Sequence, residues 1–198
     1  MVKRIVSDRC FGAVIDVQDF FLAQLGNRTL RTKIETNLLG FARLLGYFHI
    51  PIVATLERPV FRKGRLPQRL KKLGDMAQLF EKDFFDLSKE KTIRDHIARL
   101  ERTQVLVAGC ETDVCVLQSC LGLLDLGHDV FVVEDLLFSS SRNVDAAIAR
   151  MKAEGAVFIS YKTLFYELVG AVEGGRHAEQ MIATYGPFPD DLADSARR

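Results

Sequence analysis

Short apolar runs rich in β-branched residues alternate along the chain with longer segments of helical periodicity. The apolar runs predict strands at residues 13–17, 50–56, 104–108, 129–133 and 156–160, with a weaker strand at 76–82. Apolar residues at three- and four-residue intervals predict helices at residues 30–47, 92–101, 113–126 and 142–154. The order of these elements is that of repeated β-α-β units.

Two glycines support this pattern, because each follows a predicted helix and precedes a strand. Gly127 and Gly155 stand where a helix needs a left-handed residue at its C-terminal end. Strands that are apolar on both faces and joined by helices require a parallel sheet covered on both sides. The pattern therefore predicts an α/β fold: three α/β/α layers around a doubly wound, six-stranded, mainly parallel sheet.

The C-terminal part carries weaker signals. Helical spacing continues over residues 164–171, breaks at Gly174 and Gly175, and resumes over 177–185. Residues 186–198 combine two prolines with a charged, apolar-poor tail, which we expect to be mobile or to lie on a neighbouring subunit. No internal repeat or linker is evident, so residues 1–198 are predicted to form a single domain.

Composition narrows the class of protein. The chain has 198 residues, of which 48% are hydrophobic, enough for one core without metal or disulfide staples. Its 27 Lys and Arg against 26 Asp and Glu give a net charge of +1, and the basic stretch at 58–72 is local. Neither nucleic acid nor a membrane is therefore an expected partner. No signal-peptide pattern or long apolar run occurs, so a soluble protein of the reducing cytoplasm is expected.

Candidate chemistry lies where predicted strands end, because ligands of open parallel sheets bind at that edge. Asp16 follows the first strand, Lys82 ends the third, and Cys115 lies in the first turn after the fourth. A helix N-terminus favours a thiolate, and Thr112 or Asp113 would cap that helix. An acid, a cation and a nucleophile are the set that acyl transfer needs.

Each of these residues also has a plain structural interpretation. Asp16 is equally a helix cap or a solvated strand end, and Cys115 a small buried hydrophobe. Lys82 is equally a surface lysine paired with Glu81 or Asp83. Cys115 and Cys120 are five residues apart, so on a helix their side chains point roughly 140° away from each other. This geometry argues against a metal ion bound by both. Motifs for redox cysteines, dinucleotides, phosphate loops and serine hydrolases are absent, so no metal or cofactor is expected.

These residues resemble the isochorismatase-like cysteine hydrolases. The likeness is carried by Asp16-Val17-Gln18, by Lys82 before an aromatic pair, and most specifically by the run from Gly109 to Val116. It continues through Gly127-His128-Asp129-Val130, Glu134-Asp135 and Ser139-Ser140-Ser141, and covers residues 12–168. The segment 168–171, with His177 and Ile182, is similar to the isochorismatase-domain-containing branch, whose members largely lack assigned substrates.

The resemblance implies an Asp-Lys-Cys triad of Asp16, Lys82 and Cys115. Cys115 would attack a carbonyl, Asp16 would accept the thiol proton and return it to the leaving group, and Lys82 would hold both in register. It also implies a cis peptide bond between Cys110 and Glu111, with the backbone amides of Glu111 and Cys115 forming an oxyanion hole. A homo-oligomer is implied as well.

Three further residues are expected to contact the substrate: Gln18, Phe21 and Phe85. Nicotinamidases of this family carry an Asp-x-His metal cluster after the second strand, where this chain reads Thr-Leu-Glu-Arg-Pro over 55–59. A metal centre and nicotinamidase activity are therefore not expected. Cys115 argues against isochorismate cleavage, because the isochorismatases that cleave a vinyl ether do not retain the cysteine. The basic loop at 58–72 either covers the site and favours an anionic substrate, or is a solvated loop or a subunit contact.

Two functional hypotheses follow. The first is a thiol-dependent hydrolase that cleaves a C–N bond of amide type in a small molecule through a thioacyl-enzyme intermediate. The alternative is a catalytically inactive member of the family that serves as an interaction or assembly protein.

Overall fold

A single six-stranded sheet forms the centre of the computed structural model, which describes residues 2–170 together with positions 180 and 183. Every neighbouring pair of strands is parallel, in the order β3-β2-β1-β4-β5-β6. The strands are β1 (Cys10–Ile15), β2 (Ile52–Glu57), β3 (Ala77–Lys82), β4 (Gln104–Gly109), β5 (Asp129–Leu137) and β6 (Val157–Ile159). The predicted doubly wound α/β fold is confirmed.

Helices cover both faces of this sheet. They are α1 (Asp19–Ala23), α2 (Arg28–Tyr47), α3 (Val60–Lys63), α4 (Lys71–Met76), α5 (Lys91–Leu100), α6 (Leu117–Asp125), α7 (Asp145–Ala153) and α8 (Tyr161–Val169). One apolar core contains the buried side chains of α2 and α8, and a second contains those of α5, α6 and α7. The short helices α1, α3 and α4 were not predicted, because four to six residues are too few to show helical periodicity.

Strand β4 illustrates why both faces are apolar. Leu106 and Ala108 pack in the core with α2, whereas Val105 and Val107 pack in the core with α5 to α7. Successive side chains of a strand point to opposite faces, so a central strand covered on both sides needs apolar residues at every position. Because the run is apolar on both faces, helices cover both sides of the sheet and the fold has three layers.

The junction of β1 and β4 creates the reversal of strand order. From β1 the chain adds β2 and β3 towards one edge of the sheet, and from β4 it adds β5 and β6 towards the other edge. Gly109 ends β4 with a φ of 121°, and a side chain there would collide with the Ile15 carbonyl. Glycine thus allows β4 to lie against the end of β1, at the position where ligands bind in this type of sheet.

Boundaries of several elements differ from the prediction. Strand β1 ends at Ile15 and not at residue 17, because Asp16 adopts a left-handed backbone with a φ of 50°. Gly127 and Gly155 have φ values of 85° and 107°, which confirms their role at helix ends. Within the described chain, no helix has the length and apolarity to cross a bilayer.

Some predictions concern residues that the structure does not describe. The helical spacing predicted at 177–185 and the tail at 186–198 lie outside the described residues, and the single-domain assignment of residues 1–198 stays a prediction.

Candidate functional site

Asp16 and Lys82 meet at the carboxyl edge of the sheet, although β2 separates their strands. Lys82 Nζ lies 2.7 Å from Asp16 Oδ2, and both side chains are 0% exposed. The other carboxylate oxygen, Oδ1, accepts a hydrogen bond of 2.8 Å from the Thr55 hydroxyl of β2. Lys82 also donates to the carbonyl oxygens of Phe84 and Phe85, at 3.0 and 3.3 Å. We call Asp16 and Lys82 the inner pair.

Burial and neighbouring charges shift the pKa values of this pair in opposite directions. Burial lowers the pKa of Lys82, but the charges of Asp16 and Cys115 outweigh that effect and raise it above its usual value. Burial raises the pKa of Asp16, and the neighbouring Lys82 opposes the rise. A buried carboxyl group with a raised pKa suits a group that accepts and returns a proton.

Cys115 approaches this pair from the turn that follows β4. It lies in a π-helical turn, Thr112–Val116, that leads into α6, and its side chain is 1% exposed. Burial and the Asp16 charge raise the pKa of the Cys115 thiol, Lys82 opposes them, and Glu57 raises it further. Burial and the neighbouring carboxylates thus favour the thiol form of Cys115 over the thiolate that a helix N-terminus favours.

The hydrogen bond of this thiol goes to a residue that the sequence did not single out. Cys115 Sγ donates to Glu57 Oε2 at 3.1 Å. Glu57 ends β2, just as Asp16 and Lys82 follow or end their own strands, so its place at a strand end was the available signal.

Gln18 and Lys63 hold Glu57 in place. The Glu57 amide donates to Gln18 Oε1 at 2.7 Å, and Gln18 Nε2 donates to the carbonyl oxygens of Glu57 and Gly64. Lys63 of α3 forms an ion pair with the Glu57 carboxylate, and their side chains are 20% and 12% exposed respectively. We call Glu57 and Lys63 the outer pair.

The turn before Cys115 is fixed by serines of the loop after β5. Glu111 accepts a hydrogen bond of 2.8 Å from the Ser140 hydroxyl, Asp113 accepts one of 2.6 Å from the Ser141 hydroxyl, and the Ser139 hydroxyl lies between the two carboxylates, 2.8 Å from Glu111 and 2.6 Å from Asp113. The peptide bond from Cys110 to Glu111 is cis.

This arrangement corrects the predicted helix cap. Glu111 is the N-cap residue and makes no capping hydrogen bond through its side chain. Thr112 instead donates its hydroxyl to the Phe138 carbonyl at 3.0 Å, and Asp113 bonds the serines. Neither residue serves as the predicted cap, because the loop after β5 offers closer partners.

The three predicted substrate contacts fall in different environments. Gln18 is fully buried, with its amide group bound to backbone, and Phe21 is also buried. Phe85 is 54% exposed, and its carbonyl accepts hydrogen bonds from Lys82 and Ser119. Gln18 therefore orients the end of β2, while Phe85 is exposed and contacts Lys82 through its backbone carbonyl.

Paired charges dominate the basic loop. Arg58 contacts Glu81 and Asp83 at 3.3 and 2.7 Å, which leaves those acids to the loop and not to Lys82. Arg65 and Arg69 also face acidic side chains, at 3.6 and 3.8 Å. Arg58, Arg65 and Arg69 are therefore already paired with acidic side chains, while the alternative roles of the loop, at the site or in a subunit contact, stay predictions.

Asp16, Glu57 and Cys115 could by distance supply ligands to a metal, since their ligand atoms lie within 4.8 Å of one another. Each carboxylate, however, already faces an ammonium group, Lys82 on one side and Lys63 on the other. These two positive charges compete with a cation, so we interpret the group as an ion-pair network around a thiol.

Comparisons with known proteins show which family this chain is similar to. A secreted isochorismatase effector, Isc1, of Phytophthora sojae is 31% identical over 78% of this chain and 74% of its own length. Isochorismatase domain-containing protein 2 of Bos taurus is 37% identical over 80% of this chain and 74% of its own length. The YcaC gene product of Escherichia coli, described as an octameric hydrolase of unknown specificity, has the same fold.

That last similarity has a TM-score of 0.79 at 20% identity, and it covers 100% of this chain and 98% of the other. The family model of the isochorismatase domain matches residues 13–163, which contain all three residues of the predicted triad. The expectation drawn from the sequence motifs is thereby confirmed at the level of the family. The chain belongs to the isochorismatase family of hydrolases.

Proposed function

We propose that this protein is a thiol-dependent hydrolase that cleaves the C–N bond of a small amide on a triad of Asp16, Lys82 and Cys115. The observation that carries the proposal is the buried ion pair of 2.7 Å between Lys82 and Asp16 beside the Cys115 sulfur. Burying two charges is costly, so a fully buried pair next to a nucleophile favours a chemical role over a structural one.

Acylation begins with transfer of the Cys115 thiol proton to the Asp16 carboxylate. The sulfur then bonds the carbonyl carbon, and the C–N bond breaks as Asp16 returns the proton to the departing nitrogen. Lys82 keeps the negative charge on Asp16 and on the sulfur stabilised throughout. The products of this half-reaction are a free amine and a thioester on Cys115.

Deacylation uses the same groups in reverse. Asp16 takes a proton from water, the hydroxide bonds the thioester carbon, and the C–S bond breaks. The sulfur leaves as a thiolate and recovers the proton from Asp16, which restores the starting state. The backbone amides of Glu111 and Cys115 are proposed to stabilise the oxyanion in both half-reactions.

The surroundings of the triad complete the proposal. Gln18, Phe21 and Phe85 are proposed to line the substrate site, Gln18 by fixing its floor and Phe85 through its exposed ring. The mechanism requires no metal or cofactor. Four buried free thiols suit a reducing, cytoplasmic setting, and the octamer of the E. coli relative supports a homo-oligomer. No nucleic acid or membrane partner is proposed.

A second candidate is an inactive family member that acts in assembly. Its supporting observation is the burial of the triad, whose side chains are all fully or almost fully excluded from solvent. A protein of this kind would retain the triad as packing and turn over no amide.

Turnover of small primary amides separates the two candidates. We expect a burst of ammonia release followed by a slower steady state, loss of turnover in Cys115→Ala, and a kcat reduced about 10²- to 10⁴-fold in Asp16→Asn. Cys120→Ala, which removes a buried thiol from α6, is the matched control and should retain turnover. Unchanged turnover in Cys115→Ala would exclude the thiol mechanism, and no turnover of any amide would favour the inactive candidate.

A further inference from the structure

Two carboxylates lie near the Cys115 sulfur, those of Asp16 and Glu57, and the thiol directs a hydrogen bond of 3.1 Å to Glu57. Both oxygens of Asp16 already have partners, Thr55 on Oδ1 and Lys82 on Oδ2. Glu57 presents Oε2 to the thiol at 3.1 Å, while Lys63 pairs with its other oxygen. In the free protein the thiol therefore directs its hydrogen bond of 3.1 Å to Glu57, while Asp16, the group proposed to accept its proton, is the second acceptor nearby.

The position of Glu57 is specified by several contacts. Gln18 binds both its amide and its carbonyl, and Lys63 restrains the carboxylate. The hydrogen bond that Cys115 donates is thus accepted by a fixed residue at the end of a strand. A fixed acceptor that loses its donor is unfavourable, because a largely buried carboxylate needs hydrogen bonds.

Exposure distinguishes the two sides of the sulfur. The side chains of the inner pair are 0% exposed, whereas those of Lys63 and Glu57 are 20% and 12% exposed. A ligand that enters from solvent can therefore reach Glu57 without displacing the inner pair. An amide nitrogen that carries hydrogen is a suitable donor for this carboxylate.

We infer that Glu57 is a substrate-binding residue that holds the Cys115 thiol in the free protein and exchanges that hydrogen bond for an N–H group of the bound amide. The inference rests on the proposed function for the nature of the substrate. The exchange frees the thiol to give its proton to Asp16, so that substrate binding activates the nucleophile. The substrate class is then an amide with at least one N–H group.

Two alkylating probes test this exchange without any need for turnover. Acrylamide has an NH₂ group and N,N-dimethylacrylamide has none, and both react by adding the sulfur and its proton across the carbon–carbon double bond. The labelling rate at Cys115 is measured by peptide mass spectrometry at one neutral pH. Reaction of both probes with glutathione corrects for their intrinsic difference in reactivity.

In the unmodified protein we expect Cys115 to prefer acrylamide by about tenfold beyond the glutathione ratio, as for one hydrogen bond to a charged group. Glu57→Met removes the acceptor, so this preference should fall to the glutathione ratio. The same variant should react about tenfold faster with N,N-dimethylacrylamide, because loss of a neighbouring negative charge favours the thiolate.

Two further variants serve as controls. Glu57→Gln retains a side-chain oxygen, so it should speed the labelling yet keep part of the preference, and it replaces Glu57→Met if that variant does not fold. Glu81→Gln removes an acid that contacts Arg58 and Arg65 of the same loop. It should match the unmodified protein with both probes.

Three outcomes would overturn the inference. Glu57→Met could react no faster with N,N-dimethylacrylamide, it could keep the full acrylamide preference, or Glu81→Gln could reproduce both changes by loosening the loop. Hydrolysis is a separate readout. If these labelling results fail while Cys115→Ala still abolishes turnover, the role of Glu57 is wrong and the triad stands. If Cys115→Ala keeps turnover, the proposed function itself is wrong.

Discussion

Two acid–lysine pairs flank the sulfur of Cys115, and they differ in burial rather than in chemistry. The inner pair, Asp16 and Lys82, is excluded from solvent and held by a side-chain hydroxyl and two backbone carbonyls. The outer pair, Glu57 and Lys63, is partly exposed and lies where α3 meets the end of β2. One arrangement of charges thus occurs in two environments beside the same sulfur.

The comparison teaches that burial decides what a charge pair can do. A fully buried pair cannot exchange partners cheaply, so it supplies a fixed charge for chemistry. A partly exposed pair gains less from its partner, because water competes for both groups. The outer pair can therefore exchange a hydrogen bond with a ligand, whereas the inner pair keeps its geometry.

The largest expected difference is in stability. Lys82→Met leaves Asp16 buried without its partner, which should lower the free energy of unfolding by about 3–5 kcal/mol, measured with urea at neutral pH. The double variant Asp16→Asn/Lys82→Met removes both charges and should recover much of this loss. If Lys82→Met were as stable as the unmodified protein, an unpaired Asp16 would not be destabilising at this position.

Alkaline pH should sharpen the same comparison. The pKa of Lys82 is raised above its usual 10.5, so its contribution to stability is full below that pH and is lost as pH rises through the higher folded-state value. The unfolding free energy should therefore fall more steeply above pH 10.5 in the unmodified protein than in Asp16→Asn/Lys82→Met. Parallel pH profiles for the two proteins would contradict a raised pKa for Lys82.

The smallest effect is expected at the outer pair. Lys63→Met should lower the free energy of unfolding by about 1 kcal/mol or less, since Lys63 and Glu57 both retain contact with water. Urea unfolding under the conditions used for Lys82→Met provides the measurement. If Lys63→Met and Lys82→Met lowered the free energy of unfolding equally, burial would not be what distinguishes the two pairs.

Much of the fold could be predicted because its signals are local. Six apolar runs marked six strands, and Gly127 and Gly155 marked two helix ends, since a positive φ favours glycine wherever it occurs. The exact ends of β1 could not be predicted, because Val17 is as apolar as the strand before it. Asp16, in its left-handed turn, accepts and donates hydrogen bonds with Thr55 of β2 and Cys110 after β4, which are distant in sequence.

The candidate site was predictable in part for the same reason. Asp16, Lys82 and Cys115 stand at strand ends, and strand ends of a parallel sheet share one edge. The Lys82 contact with Asp16, by contrast, depends on the strand order β3-β2-β1. The choice of Glu57 as the acceptor for the thiol depends on that order and on Gln18 and Lys63, which fix the carboxylate.

The sequence by itself determined the alternation of strands and helices, the family, and three residues with the chemistry of a nucleophile, an acid and a cation. Only the tertiary structure decided which charges meet, which are buried, and that the thiol faces Glu57. The physical reason is that hydrophobic periodicity is a property of neighbouring residues, whereas the protonation and partner of a side chain depend on groups brought together from four strands and a loop.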